Sequence, residues 1–227
     1  MTLLLEEQKN AFKDALEALN EEGVLRYVVI IGSWAEYLYE CAFPWKGFTA
    51  NLRTRDVDVL IPNRARLRGK KNFVETMQKR GYGIAEDPVT GVSKFYREDL
   101  LEVQFVVRSL GSGVKDVVEV PGLGIKTEAL RHLNLLKENP ISVYYEGLNV
   151  KVPAPEAYVL QKLAIQSDRN QPKREKDLEG VRMVLDRLVN PEKMSSLFQK
   201  LQAKERDRIS KSAELHHLKL PLGDDGL

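Results

Sequence analysis

The stretch Asp56-Val57-Asp58-Val59-Leu60-Ile61 constrains this chain most. Acids and aliphatics alternate through its first four positions, and successive side chains of a strand point to opposite faces. Asp56 and Asp58 therefore share one face, while Val57, Val59 and Ile61 turn toward a core. Pro62 closes the strand, because it has no N–H to continue a ladder. Upstream, residues 26–31 form a short run rich in Val and Ile that ends at Gly32-Ser33. We read 26–31 as a buried strand, Gly32-Ser33 as a tight turn, and 34–41 as a short helix opened by that turn.

These two segments carry chemistry when they meet. Two carboxylates on neighbouring same-face positions repel, and at least one resists ionisation without a counter-charge. A hard divalent cation, Mg²⁺ or Mn²⁺, relieves this and binds through one or two carboxylates together with substrate phosphates. Gly32 allows close backbone approach, and the start of the following helix turns unpaired N–H groups toward an anion. The Ser33 hydroxyl adds a donor. The plainer readings are a solvated strand face and a Ser-capped turn. A third acid, Glu102, lies within Leu100–Val107, with Gln104 on its face and Leu101, Val103 and Phe105 on the other. A charge within so apolar a run needs a partner, a ligand or an exposed edge.

Around this core the pattern predicts a helix over 3–20 stopped at Gly23, and a loop over 42–53 holding Pro44, Gly47, Asn51 and three aromatics. A helix near 70–80 ending at Gly81 follows, then strands over 82–86, 92–97 and 100–107. Gly111 and Gly113 mark a loop, and 126–137 reads as helical. Residues 141–145 and 148–152 flank Glu146-Gly147 as a hairpin. The composition changes at Val152-Pro153-Ala154-Pro155. Beyond it lie helices over 155–168, 175–188 and 192 to about 213, the last started by Pro191. The expectation is an α/β (α+β) amino-terminal part, residues 1–152, and a helical carboxyl-terminal domain, residues 153–227.

Composition excludes several classes. Cys41 is the single cysteine, so no intrachain disulfide forms. One cysteine and three histidines are too few for a Cys/His zinc site. No stretch approaches the roughly 18 apolar residues of a membrane span, and Leu3–Leu5 runs straight into Glu6-Glu7, which suits no signal peptide. A cytoplasmic protein with no membrane partner is expected. The net charge of +2 is too small to argue for nucleic acid, so any basic patch is local. Arg64, Arg66, Arg68, Lys70 and Lys71, with Arg53 and Arg55 before the acid strand, form such a run. It reads as a solvated helix entry or as a hold on a polyanion such as RNA. Trp34 and Trp45 either pack or stack on a base. Ser33 has no histidine in a context that would make it a nucleophile.

The order Ile31-Gly32-Ser33, then Asp56-Val57-Asp58, then Leu101-Glu102-Val103 resembles the nucleotidyltransferase superfamily with a DNA polymerase β-like fold. The helix Pro155-Glu156 to Lys162, followed by Arg174-Glu175-Lys176-Asp177, resembles the bacterial abortive-infection type within it. The resemblance spans residues 24–190 and has one departure. Asp56 lies 23 residues beyond Ser33, so an insertion around Phe43–Arg53 separates the two motifs. It implies a mixed sheet flanked by helices, a nucleoside triphosphate as substrate, and Mg²⁺ or Mn²⁺ on Asp56, Asp58 and Glu102. It further implies that Gly32 and Ser33 hold phosphates, that Lys162 touches the triphosphate, and that Asp177 orients a basic group. The acceptor, whether RNA, protein or small molecule, stays open. So does the alternative of a catalytically reduced fold that serves a partner protein, as in toxin–antitoxin pairs.

Overall fold

The computed structural model describes residues 2–50, 52, 54–69, 72–109 and 117–222. Asn51, Arg53, Lys70, Lys71, Gly111, Gly113 and the tail beyond Leu222 lie outside them.

Helix α1, Thr2–Glu21, buries Ala11, Phe12, Ala15, Leu16, Ala18 and Leu19, a stripe spaced three and four apart that faces the core. It ends before Gly23, which takes φ 62°. Strand β1, Val29–Ile31, leads into α2, Ser33–Ala42. Strand β2 is Asp56–Ile61, and α3 is Phe73–Lys79, followed by Gly81 at φ 82°. Strands β3 (Gly83–Glu86), β4 (Ser93–Arg97) and β5 (Leu101–Arg108) follow the expected spacing. Then come β6, Val117–Val120, and β7, Ile125–Leu130.

One mixed sheet has the order β1-β2-β5-β4-β3, and the β6–β7 pair joins β5. β2 runs parallel to β5 and antiparallel to β1. β5 is shared lengthwise: its amino half pairs with β4 and its carboxyl half with β7. One sheet face packs on the main core through Ile30, Val57, Val59, Ile61, Val103 and Phe105. The other carries a small cluster of Val29, Ile31, Leu60, Val106, Leu133 and Leu136.

A separate hairpin, β8 (Pro140–Tyr145) and β9 (Leu148–Pro153), turns at Glu146-Gly147 with both residues at positive φ, as a two-residue turn requires. Helices α5 (Pro155–Ala164), α6 (Gln171–Arg187), α7 (Pro191–Gln199) and α8 (Ala203–Leu215) complete the chain. α5 is buried along its whole length, and the main cluster runs unbroken from α1 to α8.

Three expectations are corrected. The strand expected over 26–31 is shorter, because Leu25–Tyr27 form a 3₁₀ turn. Residues 126–137 are not one helix: 125–130 form β7, and only Asn134–Glu138 are helical (α4). Burial of Ile125, Thr127 and Ala129 alternates with period two, and the competing strand β5 captures the segment as a parallel neighbour. The last helix is two, broken at residues 200–202. No helix among the described residues is long and apolar enough to cross a membrane.

Candidate active site

The 23-residue separation between Ser33 and Asp56 disappears in space. β1 and β2 pair so that Ile31 faces Asp58, which sets the Gly32 turn directly beside the second acid. Gly32 adopts φ 71° and ψ −152°, a region that essentially only glycine visits. A Cβ built there would sit 3.1 Å from Asp58 Oδ2. The insertion loops out after α2 and is tied back by Ala50 N–H donating to Glu40 Oε2 at 2.7 Å and by buried Phe48. The register of the acid strand is thus independent of loop length, since the hydrophobic face pins it.

Asp56 is in register with Glu102, and Asp58 with Gln104, across the parallel β2–β5 pair. All four side chains share the face opposite the main core. Asp56 is exposed and Asp58 half-buried. Burial raises the Asp58 carboxyl above its usual range, the neighbouring Asp56 adds to the rise, and Lys162, Arg169 and Lys173 oppose it. Glu102 pairs with Lys94 at 2.7 Å. Gln104 donates to Glu128 at 3.3 Å.

The carboxyl-terminal helices supply the opposite wall. Lys162 Nζ on α5 donates to Asp177 Oδ1 on α6 at 2.5 Å, and Arg169 Nε lies 3.2 Å from Asp177 Oδ2. Lys162 also sits over the Tyr158 ring, 5.5 Å from its centroid. Sequence reasoning missed Glu36, buried in the first turn of α2, whose carboxylate accepts the Tyr158 hydroxyl hydrogen bond. Burial raises the Glu36 carboxyl, with Tyr158 and Lys162 pulling it back. Lys176 is pushed down by burial while Glu36 pulls it up. The signal for Glu36 was its place as the lone charge within Trp34–Tyr39, where it has no solvated face to occupy.

Trp34 is fully buried, stacked on Phe12 at 4.2 Å between ring centroids, so it packs and does not face a ligand. Trp45 is 73% exposed on the insertion. Glu156 is structural: it accepts from Asn190 N–H at 2.9 Å and pairs with Lys193, tying α5 to the start of α7.

A divalent cation fits these donors in part. The Asp56–Asp58 pair offers hard oxygens on one face beside a helix start. Among the described residues, no three His, Cys, Asp or Glu side chains gather closely enough to enclose an ion. Two carboxylates completed by substrate phosphates is the usual mode for Mg²⁺.

A strand, a glycine turn at a helix start, paired acids on the next strand and an acid on the parallel neighbour stand together in one mixed sheet flanked by helices. A family profile described as nucleotidyltransferase matches residues 10–205, and the chain belongs to that family. No curated protein matches. An antigenic nucleotidyltransferase-like protein from Paracoccidioides brasiliensis is similar in structure (TM-score 0.51, 15% identity, 95% of this chain and 88% of that one). The antibiotic-resistance factor ANT(2'')-Ia superposes with a TM-score of 0.45 at 15% identity, over 93% of this chain and 96% of that one.

Proposed function

We propose that this protein transfers a nucleoside monophosphate from an NTP to an acceptor hydroxyl, in a divalent-metal-dependent reaction that releases pyrophosphate. One observation carries the reading: the Gly32 turn and the Asp56–Asp58 pair, far apart in sequence, are held in contact by the β1–β2 register. The Ser33 hydroxyl and the first N–H groups of α2 receive the β- and γ-phosphates, where the helix end favours negative charge. Lys162, held by Asp177, adds a fixed cation to that wall. Asp56 and Asp58 hold Mg²⁺ or Mn²⁺, which when bound supplies neutralisation of the triphosphate and of the charge that grows in the transition state. Glu102 extends the acidic face toward the acceptor.

The test is incubation with each α-labelled NTP, Mg²⁺ and a cell extract, followed by isolation of what becomes labelled. Asp58→Asn should abolish labelling while keeping the wild-type circular dichroism spectrum and melting no lower than wild type. Undiminished labelling by that variant refutes the assignment. A second reading, a catalytically reduced fold acting as the partner of another protein, is favoured by the Lys94–Glu102 pair, which already occupies the third acid. Calorimetry with NTP and Mg²⁺ separates the two, since metal-independent or absent NTP binding supports the second.

A further inference from the structure

A second concavity lies at the other end of the strands that carry the acids. Asp56 and Glu102 start β2 and β5; Ile61, Val107 and Arg108 end them and border a cleft of about 540 Å³. Five residues of strand separate the two places, about 17 Å at ~3.3 Å per residue. The cleft gathers Arg64 and Arg68 from the turn after β2, Arg108 from the end of β5 and Lys137 from α4, against one lining acid, Glu119. Four cations facing one carboxylate is a strong local excess in a chain whose net charge is only +2.

These cations are also poorly neutralised. Several basic side chains elsewhere on the surface are matched: Arg80 with Glu17 and Glu21, Lys126 with Glu86, Lys211 with Asp207, Arg208 with Asp168. Among the described residues, Arg68, Arg108 and Lys137 make no ion pair, and Arg64 reaches only the Glu119 backbone carbonyl at 3.5 Å. The walls are firmly seated. A Cβ on Gly122 would lie 2.0 Å from the Leu67 carbonyl oxygen, so the β6–β7 turn packs backbone to backbone on the segment bearing Arg64 and Arg68. Arg64, Arg68 and Arg108 are exposed and Lys137 half-buried. That arrangement suits successive phosphates of a chain better than enclosure of a single one, which calls for buried, pre-oriented donors.

We propose that this cleft binds the phosphodiester backbone of single-stranded nucleic acid, with the four cations as sequence-independent phosphate contacts. The proposal deepens the transferase reading by giving the acceptor a chemical class. A stacked strand advances about 3.4 Å per phosphate, so roughly five nucleotides span the distance from the cleft to the acids. Binding itself needs neither NTP nor metal, so it can be tested whether or not transfer is ever observed.

The experiment is fluorescence anisotropy of a labelled 12-nucleotide single-stranded RNA with the full chain, without NTP or Mg²⁺, over a range of NaCl concentrations. Wild type should bind with an affinity that falls steeply with salt. Arg68→Ala/Arg108→Ala should weaken binding at least tenfold and flatten the log–log salt slope by about 0.7 per lost contact, while Lys204→Ala on exposed α8 changes neither. Unaltered affinity in the double variant overturns the proposal. So does salt-independent binding, or displacement of the RNA by a few millimolar inorganic phosphate at constant ionic strength, which would mark a lone-phosphate site. If the RNA binds as expected yet no NTP is ever transferred, the cleft stands and the transferase reading falls.

Discussion

Gly32 is where conformation and chemistry meet. Its backbone lies in a region closed to side-chain-bearing residues, and its missing Cβ makes room for Asp58. Gly32→Ala should lose about 1–3 kcal/mol in urea denaturation and weaken NTP binding in the same protein, since relaxation of the turn moves the helix start away from the acids. Glu36 makes the opposite kind of residue-scale argument. Its carboxyl is raised above the ordinary value of 4.5 chiefly by burial. Below pH 4.5 it is protonated in both folded and unfolded chains. As pH climbs through the raised folded value, the folded state holds its proton more tightly than the unfolded one, so stability is lost. Glu36→Gln keeps an acceptor for the Tyr158 hydroxyl and removes the titration. The variant's melting temperature should therefore gain on wild type steadily as pH rises from 4.5 toward neutrality, and a gap that is constant with pH would show that Glu36 does not titrate as argued. Asp58, raised in the same sense, contributes a parallel slope to both proteins.

At the scale of elements, the junction of α2, α5 and α6 decides whether the two walls of the site face each other. Gly180 on α6 lies against Glu36 and Tyr158, and an added Cβ would meet Glu36 Oε1 at 2.7 Å and the Tyr158 hydroxyl at 2.9 Å. Ala in place of Gly gains up to about 1 kcal/mol of helix propensity. Overpacking a buried junction costs about 1–3 kcal/mol, and the buried Glu36–Tyr158 pair has little room to yield. The second effect should win, so Gly180→Ala is expected to be net destabilising by about 1 kcal/mol and to reduce transfer by displacing Lys162 and Asp177. A neutral or stabilised variant with full activity would show that the junction is pliant. Lys162 and Asp177 are themselves a buried pair. Breaking a buried pair costs up to about 3–5 kcal/mol when the remaining charge is left alone; Arg169, 3.2 Å from Asp177, offsets part of that here, so activity lost in Lys162→Ala is assigned to catalysis only with a denaturation curve beside it.

For the molecule as a whole, acids crowd one end of β2 and β5 and cations the other, while the helical layer adds Lys162, Arg169 and Lys173 opposite the acids. Without a bound cation, Asp58 remains partly frustrated. A ligand that binds only the folded state stabilises it by RT ln(1 + [L]/Kd), about 2.7 kcal/mol at a hundredfold excess over Kd. NTP with Mg²⁺ should therefore raise the melting temperature by several degrees, NTP or Mg²⁺ alone much less, and Asp58→Asn should erase the synergy. Equal shifts in wild type and variant would mean that the ion does not sit on the paired acids.

Much of this is legible in the sequence where the signal is local. Alternation in Asp56–Ile61 and Leu101–Arg108 set their faces, Gly23 and Gly81 ended helices, and Pro191 began one, because period, missing Cβ and fixed φ act within a few residues. Long-range pairing was not legible. Residues 125–130 carry no strong local preference and became a strand because β5 offers a parallel edge. The approach of Gly32 to Asp58, the capture of Glu102 by Lys94 and the burial of Glu36 under Tyr158 likewise came from packing. One-dimensional order could name the acids. Which of them are desolvated, paired or open depends on neighbours brought across strands and helices, from eight positions away for Lys94 and Glu102 to more than a hundred for Glu36 and Tyr158, and only the folded chain supplies those neighbours.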